Sequence, residues 1–185
     1  MEAVAYTPRL RKKYQKEIVP VMIKERGYTN PHQVPRLIKI VINMGVKEGA
    51  QDIKILDAVK ADLATVTGQA PVVTRARKSI SAFKLREGSP IGLKVTLRGP
   101  RMYEFLDRLV NVAMPRIRDF RGLPDTGFDS QGNMSFGLQE QIIFPEVEFD
   151  KIKKVQGMDV TFVTTTKKKE EAKRLLELFG FPFRK

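Results

Sequence analysis

Residues 67–79 read Thr-Gly-Gln-Ala-Pro-Val-Val-Thr-Arg-Ala-Arg-Lys-Ser, and this stretch joins the end of a helix to the start of a strand. Gly68 follows an apolar helical stripe, as a C-terminal cap does, and Pro71 prevents the helix from continuing. The β-branched residues after the proline favour an extended chain. We therefore expect a helix over about residues 52–66 and a strand over residues 72–83.

A dense basic patch begins inside the same stretch. The segment from Arg75 to Arg86 contains five cationic residues and no acidic one: Arg75, Arg77, Lys78, Lys84 and Arg86. A concentrated positive field on a structured base suits a polyanion better than a small substrate. The sequence therefore indicates a nucleic-acid-binding protein, and we expect no small-molecule substrate.

The whole chain is strongly basic. It has 185 residues and a net charge of +13, with 34 lysines and arginines against 21 acidic residues. This balance points to nucleic acid first and to an anionic membrane surface second. A chain of this length has the size of one domain, so we expect a single domain over residues 1–185.

The residue types that most enzymes and metal sites need are scarce. The sequence contains no cysteine and a single histidine, His32. Thiolate metal sites, disulfides, cysteine nucleophiles and histidine relays are therefore excluded. We expect a protein that is not an enzyme and that binds no metal and no cofactor.

The apolar residues are distributed as in a soluble protein. No stretch approaches the roughly 18 to 20 apolar residues that cross a bilayer, and the N-terminus lacks the apolar core of a signal peptide. The first expected helix, from Thr7 and Pro8 to Gly27, has a basic face and an apolar stripe. We expect that stripe to be buried rather than to bind a membrane, and we expect a cytoplasmic protein.

Acidic residues concentrate in one segment. Leu123–Asp150 contains no lysine or arginine and six acidic residues: Asp125, Asp129, Glu140, Glu146, Glu148 and Asp150. One surface of the protein should therefore bind a polyanion, while this segment faces solvent or a basic protein.

The periodicity of the remaining chain predicts an α+β fold. Alternating or β-branched runs predict strands at residues 37–43, 72–83, 93–98, 138–144 and 159–166. Apolar stripes at helical spacing predict helices at about residues 8–27, 52–66, 99–115 and 168–179. This order favours a mainly antiparallel sheet with helices packed on one face. Between the second and third strands we expect a long projecting loop with a basic root, over residues 85–92.

The other face of the predicted sheet should be open. If the helices cover one face, the polar alternate residues of the strands line the other: Asn43, Lys94, Thr96 and Arg98. A sheet face that carries amides, hydroxyls and cations suits phosphates, ribose hydroxyls and base edges. We therefore expect this face to bind RNA.

Several motifs, spread in order over nearly the whole chain, resemble those of one family. They are Val34–Leu37, Ile40–Gly45, Leu63–Ser79, Lys78–Arg86, Lys94–Gly99, Pro115–Gly122, Gly157–Asp159 and Gly180–Phe183. In these stretches the sequence resembles the bacterial ribosomal protein L5 family. The resemblance implies a structural constituent of the large ribosomal subunit, in contact with large-subunit rRNA. It also implies that the open sheet face binds 5S rRNA and helps attach it to the central protuberance.

The resemblance also implies roles for single residues. Family residues that contact 5S rRNA lie in motifs that place Asn43, Gln69 and Thr96 at this site. To these we add the neighbouring cations, which could neutralise phosphates: Arg75, Lys94 and Arg98.

Two further contacts follow from the resemblance. The family's loop between the second and third strands approaches the peptidyl-site tRNA, which implies this role here for Arg77, Lys78, Lys84 and Arg86. Family members also contact a basic protein in the head of the small subunit and form an intersubunit bridge. The acidic segment 123–150 is our candidate for that contact. A second function stays open, that of a messenger-RNA-binding regulator or RNA chaperone away from the ribosome.

Overall fold

The computed structural model of the protein describes residues 6–50, 52–147, 152 and 154–184. Five strands form one sheet: β1 (Leu37–Gly45), β2 (Val72–Arg75), β3 (Pro90–Leu97), β4 (Met134–Leu138) and β5 (Met158–Thr164). Their order across the sheet is β2-β3-β1-β5-β4, the strands are antiparallel, and the sheet is open rather than closed into a barrel. The predicted α+β class with an antiparallel sheet is therefore confirmed.

The described chain also contains α-helices. They are α1 (Arg9–Lys13), α2 (Val19–Arg26), α3 (Ile53–Thr67), α4 (Gly99–Arg108) and α5 (Lys169–Phe179). Gly27, Gly68 and Gly180 follow α2, α3 and α5 with φ angles of 68°, 65° and 100°. Glycine takes this left-handed conformation without strain, so each helix ends where its sequence predicts. Within the described ranges, no helix is long and apolar enough to span a membrane.

A proline lies inside the first helical run without ending it. The run begins at Arg9, and a π-helical turn, Tyr14–Ile18, joins α1 to α2 just before Pro20. A proline ring clashes with the carbonyl four residues earlier in a regular α-helix and leaves that carbonyl without a donor. The wider turn accommodates both effects, so the helix continues to Arg26.

The strands bury one face and leave the other open. Alternate side chains are buried along β1, β3 and β5, among them Ile40, Ile42, Met44, Leu93, Val95, Leu97, Met158, Val160 and Phe162. The residues between them, such as Asn43, Lys94 and Asp159, are exposed. Because successive side chains of a strand point to opposite faces, burying the apolar set places the polar set on the open face.

The chain divides into two compact units, and the single domain predicted from length stays a prediction. The first unit comprises the described parts of residues 1–40, 98–135 and 162–185. Here the ring of Tyr14 stacks on Phe179 at 6.1 Å between centroids, and Arg174 Nε donates to Glu25 Oε2 at 2.8 Å. The second unit comprises the described parts of residues 41–97 and 136–161, in which α3 packs against β3.

The strand predicted over residues 72–83 is wrong beyond Arg75. Residues 76–89, called the basic loop below, fold back on themselves instead. The Ala76 N–H donates to the Ser89 carbonyl at 2.9 Å, which closes the loop at its base. The β-branched run ends at Thr74, so nothing in the following basic residues sustains a strand.

The loop predicted over residues 85–92 is also misplaced, because β3 already begins at Pro90. Gly92 suggested a loop, but it lies in the strand at a close approach of backbones. An ideal Cβ at Gly92 would lie 2.6 Å from the Met44 carbonyl oxygen and 3.0 Å from Thr74 Oγ1. The glycine is therefore a packing requirement of three adjacent strands.

The strand predicted over residues 138–144 is wrong as well. β4 ends at Leu138, and Gln141–Ile143 forms a short 3-10 turn. The apolar residues of this run resemble a strand, but the backbone turns where Gln141 becomes buried.

The buried side chain of Gln141 ties a loop to α3 and β1 of the second unit. Its Nε2 donates to the Lys154 carbonyl at 2.9 Å, and its Oε1 accepts from the Gln156 N–H. Gln156 Nε2 in turn donates to the Gly45 carbonyl at 2.7 Å, at the end of β1. Gln141 also hydrogen-bonds to Asp62 of α3, and burial raises the pKa of that carboxyl group despite this bond.

Replacing Gly92 with alanine should lower the free energy of unfolding by about 1–3 kcal/mol, the usual effect of overpacking. The added Cβ would collide with the Met44 carbonyl oxygen of β1. Gly45→Ala is the matched control, because a Cβ there meets nothing within 4 Å. Urea unfolding followed by circular dichroism measures both variants. Equal stability of the two would contradict the close approach of the strands.

Replacing Asp62 with asparagine should raise the free energy of unfolding at pH 7. Burial raises the pKa of Asp62 above its ordinary 3.8, so the folded state disfavours the charged carboxylate at neutral pH. That penalty disappears as the pH falls through the raised pKa of the folded protein to the ordinary pKa of the unfolded chain. The gain in unfolding free energy from Asp62→Asn should therefore shrink in acid. Urea unfolding at several pH values tests this. A gain independent of pH would refute the electrostatic origin.

Candidate nucleic-acid interface

The first predicted site residue, Asn43, lies exposed on the open face of β1. Its neighbours Ile42 and Met44 are buried on the opposite face, so the alternation of the strand fixes the direction of the amide. The hydrogen bond from Gln156 to the Gly45 carbonyl holds the chain two residues further on. Asn43 is therefore carried by a backbone that is fixed on both sides.

Lys94 and Thr96 lie on the same face of β3. Leu93, Val95 and Leu97 are buried between and beside them. β1 and β3 are neighbours in the sheet, so the cation and hydroxyl of β3 and the amide of Asn43 lie on the open face of adjoining strands. In the register with β2, Lys94 pairs with exposed Val72 of the edge strand.

Gln69 is brought to Thr96 by a turn that the sequence encodes locally. Thr67 Oγ1 is buried and lies within hydrogen-bonding distance of the carbonyls of Leu63, at 2.7 Å, and of Gln69, at 3.0 Å, while Gly68 takes the left-handed conformation. These bonds direct the chain back toward the sheet. Gln69 Nε2 then donates to the Thr96 carbonyl at 3.3 Å, so its amide group lies at the edge of the open face.

The two arginines assigned to this site have other surroundings. Arg75 Nη1 donates to the Gly88 carbonyl at 2.9 Å, so its guanidinium secures the base of the basic loop. Arg98 is exposed and belongs to the first unit, where it precedes α4 as its N-cap. The structure therefore brings together Asn43, Gln69, Lys94 and Thr96 in the second unit.

The basic loop carries the other predicted cations. Arg77, Lys78, Lys84 and Arg86 are all exposed. None of them forms an ion pair with a described carboxylate. A net positive charge is thus concentrated on one short, folded segment, where it is available to a polyanion.

Sequence reasoning missed several residues that share these surfaces. Asp159 and Thr161 occupy the open-face positions of β5, and the alternation of residues 158–164 contained that signal. Phe83 is 69% exposed in the basic loop, whereas its apolar side chain favours the predicted strand over residues 72–83.

The acidic segment is only partly available for a partner. Asp125 accepts from Lys173 Nζ at 2.7 Å, and Asp129 accepts from Asn133 Nδ2 at 2.8 Å. The Asn133 hydrogen bonds lower the pKa of Asp129. Glu140 is exposed, Glu146 is half-buried, and Glu148 and Asp150 lie outside the described residues.

Within the described chain, no group of three or more histidine, cysteine, aspartate or glutamate side chains could hold a metal ion. The single histidine, His32, is exposed in a short turn, where its backbone N–H donates to Asn30 Oδ1 at 2.8 Å. The donor set of this surface is instead amides, hydroxyls and cations, which bind phosphates and RNA functional groups.

Two family models match the chain, one for ribosomal protein L5 over residues 30–86 and one for the C-terminus of the same ribosomal family over residues 90–183. Several relatives are named large ribosomal subunit protein uL5. The protein of Fervidobacterium nodosum is 58% identical over 95% of this chain and 96% of its own length. The protein of Thermosipho melanesiensis is 60% identical over 97% of this chain and 98% of its own length. The protein of Mesoplasma florum is 59% identical over 96% of this chain and 98% of its own length. The chain therefore belongs to the ribosomal protein L5 family, as its motifs predict.

Proposed function

We propose that this protein is a constituent of the large ribosomal subunit that binds 5S rRNA and helps attach it to the central protuberance. Membership of a ribosomal protein family supports the ribosomal role, and it agrees with the prediction of a protein that is not an enzyme. The single observation that carries the RNA site is the open half of the sheet, where Asn43, Lys94 and Thr96 lie on neighbouring strands and Gln69 bonds to the Thr96 carbonyl. Its setting is the ribosome of the bacterial cytoplasm.

The proposed binding has two physical parts. Lysines and arginines neutralise phosphates and release counterions, which gives affinity without sequence preference. The amide of Asn43 and the hydroxyl of Thr96 are fixed by the strands and recognise RNA shape and ribose hydroxyls, which gives specificity. Gln69 adds an amide that its bond to Thr96 holds in place. Preorganised polar groups lose little entropy when RNA binds.

The basic loop is the proposed contact with the peptidyl-site tRNA. Its four exposed cations lie on a connection separate from the sheet residues that we assign to 5S rRNA. The exposed part of the acidic segment 123–150, including Glu140, is the proposed contact with a basic protein of the small-subunit head. Charge complementarity supports that contact, because the segment contains no lysine or arginine.

Asn43→Ala and Thr96→Ala should each weaken binding to purified 5S rRNA by about 1–3 kcal/mol, the usual loss for a buried hydrogen bond left unmade. Thr65→Ala is the matched control, because Thr65 is exposed on α3 and its hydroxyl bonds only to its own helix. Equilibrium titrations in a salt series, with an unrelated structured RNA as competitor, measure affinity and preference together.

Two outcomes of that titration decide between the functions. A steep salt dependence with a strong preference for 5S rRNA, lost in the Asn43→Ala/Thr96→Ala double variant, supports the sheet-face site. Equal binding to both RNAs and no effect of either substitution would leave a general polyanion binder. Crosslinking that recovered mainly messenger RNA would then favour the regulator or chaperone.

Lys78→Ala and Arg86→Ala should leave 5S rRNA binding nearly unchanged and weaken tRNA binding at the peptidyl site, since both cations lie in the basic loop. Lys54→Ala, an exposed cation on α3, is the control for charge alone. Filter binding of tRNA to ribosomes that carry each variant measures the effect. Loss of 5S rRNA binding in the loop variants would contradict the proposed division of roles.

A further inference from the structure

The basic loop carries an exposed aromatic ring among its cations. Phe83 is 69% exposed and Ile80 is 43% exposed. Every residue from Arg77 to Lys84 is exposed, so neither side chain belongs to a hydrophobic core. Single exposed apolar residues are common, but two of this size in one short loop form an apolar patch that suits a binding partner.

The loop holds this ring on a folded support. Ile80 and Leu85 exchange backbone hydrogen bonds of 2.9 and 3.1 Å, and the residues between them form a 3-10 turn closed by Lys84. Lys84 takes a left-handed conformation with φ 51°. Further toward the base, Ser79 Oγ accepts from the Glu87 N–H at 2.9 Å. The loop therefore presents Phe83 in an ordered segment without burying it, which lowers the entropic cost of binding.

The charges around the ring select the kind of partner. Arg77, Lys78, Lys84 and Arg86 flank Phe83 and Ile80 in the same folded segment, with Glu87 as its one acidic residue. An apolar pocket of another protein would have to accommodate this positive field. RNA offers both complementary groups at once, because phosphates attract the cations and nucleobases present flat apolar faces.

We propose that Phe83 stacks on an exposed nucleobase face of the tRNA that the basic loop contacts. The inference rests on the proposed tRNA contact of this loop and names the residue that recognises RNA there. The four cations supply attraction that does not depend on the base, while the ring requires an unpaired base or the open face of a terminal base pair.

The test uses ribosomes that carry full-length variants, with tRNA affinity at the peptidyl site as the readout. Phe83→Ala should weaken tRNA binding about 5- to 150-fold, the range for losing one base–aromatic stack. Phe83→Leu keeps an apolar side chain but lacks a π face, so it should weaken binding nearly as much. Phe83→Tyr should restore it, since the ring remains.

A fluorescence measurement reports the contact directly. This measurement uses the purified protein, whose sequence contains no tryptophan, so Phe83→Trp introduces its single indole. Its emission should be quenched when tRNA binds, because stacking on a base quenches indole fluorescence. Ile53→Trp is the matched control, at an exposed position on α3 where emission should not change.

The outcomes separate this inference from the function on which it rests. If Lys78→Ala weakens tRNA binding but Phe83→Ala and Phe83→Leu do not, the loop binds tRNA without stacking and the inference is wrong. Full binding by Phe83→Leu with loss in Phe83→Ala would also overturn it, because an apolar contact would then suffice. Quenching of Phe83→Trp by anionic vesicles but not by tRNA would assign the ring to a membrane surface instead. If no loop variant changes tRNA binding, the proposed tRNA contact itself fails.

Discussion

The structure depends on the requirement that each strand bury one row of side chains. Ile42 in β1, Val95 in β3 and Val160 in β5 are almost completely buried. A shift of any strand by one residue would expose such a row and bury its polar neighbours, so the register is strongly constrained. The amide of Asn43 and the hydroxyl of Thr96 inherit their direction from this constraint. The candidate interface is thus a by-product of core packing, which makes it rigid.

Local sequence signals were sufficient for much of this fold. The glycines at positions 27, 68 and 180 mark helix ends because the left-handed conformation is a property of single residues. The alternation of apolar and polar residues in β1, β3 and β5 predicts the buried and open faces, because the direction of successive side chains is also a local property of a strand. The end of β2 and the turn at Gln141 could not be predicted in this way. They depend on hydrogen bonds to residues 13 to 15 positions away, Ala76 to Ser89 and Gln141 to Lys154 and Gln156.

In the candidate interface, too, local signals predict some residues, while others depend on contacts between residues distant in the sequence. Asn43, Lys94 and Thr96 were predictable as open-face residues because alternation alone places them. The bond from Gln69 to the Thr96 carbonyl needs the tertiary structure, as does the turn of Arg75 toward Gly88. The exposure of Phe83 was also hidden, because the sequence does not tell an apolar residue of a strand from one in a folded loop. Resemblance to a family supplied Gln69, where the physical pattern did not.

β2 forms one edge of the sheet and has only four residues. Its pairing with β3 shifts between Thr74 and Arg75, and the chain then leaves the sheet as a basic loop. A long, flat edge strand would be a template for pairing with another molecule, which leads to aggregation. A short, irregular and cationic edge offers little to pair with and repels a second copy. This edge of the sheet is therefore poorly suited to self-association by strand pairing.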